Sequence, residues 1–214
     1  MNVLVVGANG QIGQKIVQQI QESDEHSVVA MVRKNEQKER LEKEGVEAIL
    51  ANLEDSVDNL ANALSGIDSI IFTAGSGGST GADKTLLIDL DGAIKMMEAA
   101  EQAGVERFLL ISAIGADNRE TWSEEIKSYY VAKYYADKAL ERSSLNYTII
   151  RPGALVNEPG TGKVWAGNDF EYGKIPREDV ARVVVASLAA EPTYRKAFNL
   201  LSGDTNIKEA VNRL

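Results

Sequence analysis

Short apolar runs alternate along the chain with longer stretches of helical period. VLVVG (3–7) precedes QIGQKIVQQIQES (11–23), and HSVVAMV (26–32) precedes NEQKERLEKEG (35–45). VEAIL (46–50) precedes SVDNLANALSG (56–66), and DSIIFTAG (68–75) precedes a helical pattern from about Asp83 to Ala103. RFLLIS (107–112) leads to a helix from roughly Ser123 to Ser143, and NYTIIRPG (146–153) closes the series. Six β-branched runs separated by helices predict consecutive βαβ units, and hence a parallel sheet with helices on both faces. VLVV and FLLI are apolar without alternation, as strands buried on both sides are. After Gly153 the character changes. The stretch 154–176 is rich in Gly, Asn and Pro and reads as loop with short strands. A helix over 177–191, a strand over 196–202 and a short terminal helix follow. The class is α/β, doubly wound. The expected organisation is one domain over 1–214, with 154–176 and the C-terminal segment forming a small substrate-side lobe.

The 214 residues are 44% hydrophobic, enough for one domain with a full core. The net charge of −9 disfavours nucleic acid and anionic membrane as partners. With no cysteine and one histidine, His26, disulfides, thiolate chemistry and a His-based metal site are excluded, and a Ser-His-Asp triad is disfavoured. His26 reads as a loop residue before a strand. No signal-type segment and no apolar run of about 20 residues is present, so the expectation is a soluble cytoplasmic protein, monomer or homodimer, acting on a small molecule.

GANGQIG (7–13) places Gly7, Gly10 and Gly13 where a strand hands over to a helix. Two readings compete: a tight turn alone, or a phosphate held by bare backbone and the N–H groups of the helix behind it. The strand-turn-helix context favours the second, a dinucleotide site, although the spacing is G-x-x-G-x-x-G. An NAD site carries an acid about 20 residues beyond the glycines, where it meets the ribose hydroxyls. Here VVAMVRKN offers Arg33 and Lys34 instead, which suits a 2′-phosphate; an ordinary surface basic pair is the other reading. GTGK (160–163) is not a P-loop, because Asn157 and Val164 stand where that motif needs Gly and Ser or Thr.

YYVAKYYADK (129–138) contains two Tyr/Lys pairs at i, i+4: Tyr129 with Lys133, and Tyr134 with Lys138. At about 100° per residue, Ile126, Tyr129, Tyr130, Lys133, Ala136 and Leu140 form one stripe. Tyr134 and Lys138 fall beside Lys127 and Glu141 on the charged face. The first pair is therefore expected inward and the second in solvent. A lysine in an apolar stripe needs a partner. Asp137 one turn on is one candidate and a cofactor ribose the other. The ammonium is expected to lower the Tyr129 pKa toward that of an acid–base catalyst.

Together with MVR (31–33), TAG (73–75), LLISAIGA (109–116), RPG (151–153) and IPREDVA (175–181), these motifs resemble the short-chain dehydrogenase/reductase superfamily. The resemblance is to its small atypical, single-domain NAD(P)-binding branch, which is compared with biliverdin/flavin reductase B and NmrA-like proteins. It covers essentially the whole chain and implies a Rossmann-like fold. It also implies that Gly7, Asn9, Gly10, Gln11 and Ile12 wrap a pyrophosphate, and that Arg33 takes a 2′-phosphate. Asn52 and Leu53 would flank adenine, Ala74 and Gly75 would lie near the ribose, and Pro152, Gly153, Ala154 and Leu155 would line the nicotinamide. Ser112, Tyr129 and Lys133 would form the reactive group, with Lys133 also holding the ribose. Asn52 stands where many relatives have Asp, and TAGSG replaces the NNAG of larger relatives.

The expected activity is hydride transfer between NADP(H), rather than NAD(H), and a small carbonyl, quinone or flavin-like acceptor. The alternatives are a non-catalytic NADP(H) sensor and a nucleotide-sugar epimerase or dehydratase. About sixty residues follow RPG, short for a lobe that grips a nucleotide sugar.

Overall fold

Each apolar run sends alternate side chains into opposite layers, and that alternation builds the core. In β1 (Asn2–Val6), Val3 and Val5 join one buried cluster while Leu4 and Val6 join the other. The computed structural model describes residues 1–77, 80–169 and 172–214. After β1 come α1 (Gln11–Gln21), β2 (Ser27–Val32), α2 (Asn35–Lys43), β3 (Glu47–Leu50), α3 (Val57–Asn62) and β4 (Ser69–Phe72). Then follow α4 (Ala82–Lys84), a π-helical segment (Thr85–Gly92), α5 (Ala93–Ala103), β5 (Arg107–Ile111), α6 (Lys127–Arg142) and β6 (Asn146–Pro152). The chain continues through β7 (Ala154–Val156), β8 (Lys163–Gly167), β9 (Lys174–Pro176), α7 (Arg177–Ser187), β10 (Lys196–Ser202), β11 (Thr205–Asn206) and α8 (Ile207–Asn212).

The main sheet runs β11-β8-β10-β6-β5-β4-β1-β2-β3. From β3 to β10 all pairings are parallel, with Val3 opposite Val28 on one side and Ser69 on the other. This is the Rossmann-like order. β1 is flanked by β2 and β4, so the chain reverses direction across the sheet beside β1, and crevices open at such a switch. One layer packs α1 on α7 through Ile16, Val17 and Ile20 against Val180, Val183 and Val184. The other buries Met96 and Met97 of α5 and Ala136 and Leu140 of α6 against Phe72 and Phe108. Each of these side chains larger than alanine contributes about 1.5–3 kcal/mol by leaving water.

Three features depart from the sequence expectations. The helix expected from Ser123 begins at Lys127, after two 3₁₀ turns (Arg119–Thr121 and Glu124–Ile126). Ile126, expected on the buried stripe, is therefore 46% exposed, because helical projection does not reach back past the first helical residue. The pattern from Asp83 to Ala103 is helical throughout but winds as a π-helix between Thr85 and Gly92. KVWAG of the expected lobe joins the main sheet as β8, antiparallel to β10, and only β7 and β9 pair separately. Phe170 and Glu171 of that lobe lie outside the described residues. Among the described residues no helix is long and apolar enough to cross a membrane.

Candidate active site

The glycines between β1 and α1 serve close approach. Gly7 has φ +88°, and a Cβ there would stand 2.6 Å from the Ala74 nitrogen. A Cβ on Gly13 would stand 2.2 Å from the Gly7 carbonyl oxygen, so the turn folds flat against the helix start. Gly10 donates its N–H to that same oxygen at 2.9 Å and forms the N-cap of α1 without any side-chain cap. The first N–H groups of α1 lack intrahelical acceptors and no acidic side chain stands in the first turn, so this helix end is ready for an anion. Ile12 is buried, so only its backbone can face a ligand there, and the Gln11 side chain is exposed. Asn9 accepts from Arg40 Nη2 through Oδ1 at 2.8 Å, which ties α2 to the turn.

A cleft of about 350 Å³ lies in front of this turn. Among the predicted residues, Gly7, Asn9, Gly10, Arg33, Asn52, Leu53, Ala74 and Gly75 line it. Lys34 does not; it is the exposed N-cap of α2. The Asn52 side-chain carbonyl accepts the Glu54 N–H at 3.1 Å, so this residue shapes the turn that forms the cleft wall. Gln37 and Lys84 also line the cleft, and both were missed from the sequence. Gln37 Oε1 is buried without a hydrogen-bond partner among the described residues.

The predicted reactive residues follow β5 and sit in the first two turns of α6, and none of them is among the residues that line the cleft. Ser112 follows β5, donates its N–H to Ile150 O at 2.8 Å, and keeps a buried hydroxyl that faces the Asp137 carboxylate. Lys133 is buried, with its Nζ 5.6 Å from the centroid of the Tyr129 ring. Its partner is not Asp137. The ammonium lies 3.3 Å from Asp89 Oδ1 and donates to Ile111 O at 3.2 Å. Asp137 instead accepts from Arg151 Nε at 2.8 Å, and Arg151 Nη1 reaches Asp117 at 2.9 Å. Asp89 was missed because the sequence does not tell it from Asp91 two residues on; in the π-helical segment Asp89 is buried while Asp91 stays exposed beside Lys95.

The Tyr129 phenol is shifted upward, not downward as the sequence suggested. Burial raises it, Lys133 opposes that, and Asp89 and Asp137 add to the rise. Burial also works against the Lys133 charge, but Tyr129, Asp89 and Asp137 outweigh it and its pKa is raised. The second pair is not wholly in solvent either. Lys138 does pair with Glu141, at 2.6 Å, but Tyr134 is partly buried, with its ring 5.7 Å edge-on from Trp122 and 4.4 Å beneath Arg119. Trp122 stacks in turn on Tyr130. Pro152 and Gly153 are buried at the end of the sheet, whereas Ala154 and Leu155 are exposed. The GTGK loop has its own anions: Glu178 accepts the Gly160 N–H, and Asp179 accepts those of Thr161 and Gly162. Carboxylates occupy what a phosphate would need.

A dinucleotide fits this arrangement on two counts. The glycine turn leaves a surface that any Cβ at Gly7 or Gly13 would disrupt, and a buried Gln37 Oε1 without a hydrogen-bond partner among the described residues lies in the cleft wall. The comparisons agree. A family model described as NAD(P)H-binding matches residues 7–191. The chain is similar to a Bacillus subtilis (strain 168) protein named uncharacterized sugar epimerase YhfK, at 60% identity over all of both chains. It is similar to a solved Bacillus halodurans structure named an NAD-dependent epimerase/dehydratase (43% identity, all of both chains, TM-score 0.94). It also matches the structure of the oxidoreductase ylbE from Lactococcus lactis (33% identity, 100% of this chain and 96% of that one, TM-score 0.90). Turn, sheet order and family match converge: the chain belongs to the NAD(P)H-binding family.

Proposed function

We propose that the chain is an NADP(H)-dependent oxidoreductase that passes hydride between the cofactor and a small carbonyl, quinone or flavin-like acceptor. The observation that carries this reading is the buried Lys133 ammonium beside the Tyr129 ring, with the buried Ser112 at the end of the neighbouring strand. A protein that only binds the dinucleotide has no need of a buried cation next to a phenol, since burying that charge is costly. A bound nicotinamide would supply the hydride. Tyr129, held above its ordinary pKa, keeps its proton until an acceptor oxygen takes it. Lys133 stabilises the phenolate that remains, and Ser112 donates to the same oxygen. The glycine turn would hold the pyrophosphate, with Asn52, Leu53, Ala74 and Gly75 around the nucleoside.

The preference for NADP(H) rests on Arg33 at the cleft rim. Among the described lining residues the charged ones are Arg33 and Lys84, and both are cationic. Lys84 is held by Glu54 at 2.8 Å, which leaves Arg33 to meet a 2′-phosphate. Arg33→Asp is expected to weaken NADPH binding by at least ~2 kcal/mol, about 30-fold, and NADH binding far less. Calorimetric titration of both variants with both cofactors checks this. Equal wild-type affinities for NADPH and NADH overturn the preference.

Two of the similar proteins carry epimerase names, and that favours a second reading: reversible oxidation of a nucleotide sugar at the same Tyr/Lys pair. The two differ in net redox change. A thermal-shift panel of NADPH, NADH, flavins and simple quinones, followed by stopped-flow oxidation of bound NADPH, supports the reductase if an acceptor consumes NADPH stoichiometrically. An epimerase interconverts a nucleotide sugar with no net loss of cofactor. If neither occurs, a non-catalytic NADP(H) sensor is the better reading.

A further inference from the structure

Asp89 is 2% exposed and uses both of its carboxylate oxygens. Oδ1 lies 3.3 Å from the Lys133 ammonium, while Oδ2 accepts the backbone N–H of Ser76 at 2.9 Å. Ser76 belongs to the stretch Thr73–Ser76, every residue of which lines the cleft; the dinucleotide reading puts a nucleoside against it. The Ser76 hydroxyl also shares a hydrogen bond with Thr85 Oγ1 at 3.2 Å, so the loop is fastened twice to the π-helical segment that carries Asp89. From this placement we infer that Asp89 is a positioning residue of the site, tying the loop at the nucleoside end of the cleft to the ammonium beside Tyr129. The inference rests on the dinucleotide reading of the cleft, not on any particular acceptor.

The chemistry requires a carboxylate at this position. Two donors converge on Asp89, one of them charged, and only a group with two acceptor oxygens serves both. An asparagine has one acceptor oxygen and one donor nitrogen, so it must orphan either the Ser76 N–H or the Lys133 ammonium. The charged and titratable groups facing Lys133 are Asp89 from the π-helical segment, and Tyr129 and Asp137 from its own helix. From β5 it meets only the Ile111 carbonyl. Asp137 is already engaged by Arg151, which leaves Asp89 as the anion that keeps the buried ammonium charged and in place.

The test needs no turnover. Lysine ¹³Cε resonances, with Lys133 assigned by its loss in Lys133→Met, report the charge on that ammonium as pH is varied. Wild type is expected to hold the Lys133 midpoint above that of an ordinary lysine, and Asp89→Asn to lower it. An unmoved midpoint overturns the proposal, because a residue with a merely structural role would leave it in place. The second arm uses 2′,5′-ADP, which fills only the nucleoside end. Its affinity is expected to fall about 3- to 10-fold in Asp89→Asn, on the scale of one lost or misplaced hydrogen bond. An unchanged affinity overturns the tie to the loop. If Asp89→Asn does not fold, Asp89→Ser removes the charge, leaves room for water, and is read the same way. If wild type binds 5′-ADP as tightly as 2′,5′-ADP, the NADP(H) preference fails, and the second arm is then read with 5′-ADP.

Discussion

Gly10→Val is expected to leave a cooperative fold and to lower NADPH affinity at least about 100-fold. Gly10 has φ −75° and ψ 164°, an extended conformation that valine adopts readily. Its added Cβ would meet only the Gly7 carbonyl oxygen, at 3.2 Å, so the backbone has to give by little. The branched side chain would instead stand in front of the first N–H groups of α1, where the pyrophosphate must come. Losing two charge-assisted hydrogen bonds of at least about 1.5 kcal/mol each removes about 3 kcal/mol, which is the stated loss. Gly13→Ala makes the contrast, since its Cβ would stand 2.2 Å from the Gly7 oxygen and the turn itself must move. That variant is expected to lose thermal stability as well as binding, whereas Gly10→Val loses chiefly binding. Paired melting curves and NADPH titrations separate the two. A folded Gly10→Val protein with undiminished affinity would mean that the glycines serve only the turn.

Tyr129→Phe is expected to reduce turnover by ~10²–10⁴-fold, the usual contribution of one positioned acid, with NADPH affinity nearly unchanged. The ring stays beside Lys133 and only the hydroxyl is lost. Lys133→Met should lower turnover and affinity together. It should also cost about 3–5 kcal/mol of stability, because Asp89 would be left as a buried carboxylate without its cation. Tyr134→Phe should leave turnover intact. That follows not from full exposure, as the sequence suggested, but because phenylalanine keeps the ring packed against Trp122 and beneath Arg119. All three variants need an acceptor from the panel and a melting curve. A normal rate in Tyr129→Phe would remove this tyrosine from the mechanism and favour direct hydride transfer, with the proton drawn from water.

Much of the cleft's lining was legible in advance because its patterns are local. A glycine turn between a strand and a helix, the residues at the end of the next strand, and a Tyr/Lys pair one turn apart are all short-range patterns. The chain brings Gly7, Arg33, Asn52 and Ala74 to one cleft simply because parallel strands all end on the same side of the sheet. Reading a single helix also separated Tyr129 from Tyr134 in direction, though it overstated how far Tyr134 reaches into water. Lys34 shows the limit of such reading. It neighbours Arg33 in sequence, yet the chain turns there into α2 and carries it out of the cleft.

By itself, then, the sequence determined the α/β layering, the alternation of strands and helices, the glycine turn between β1 and α1, and which Tyr/Lys pair carries the buried lysine. All of these follow from hydrophobic period and from steric rules that act within a few residues. Only the tertiary structure decided which anion holds Lys133 and in which direction the Tyr129 pKa moves. It also decided that KVWAG closes the main sheet. Asp89 is 44 residues from Lys133 in sequence and comes within 3.3 Å of it only because the π-helical segment packs on α6. The balance between burial, one ammonium and two carboxylates then depends on distances and on water exclusion, neither of which is encoded in the local order of residues.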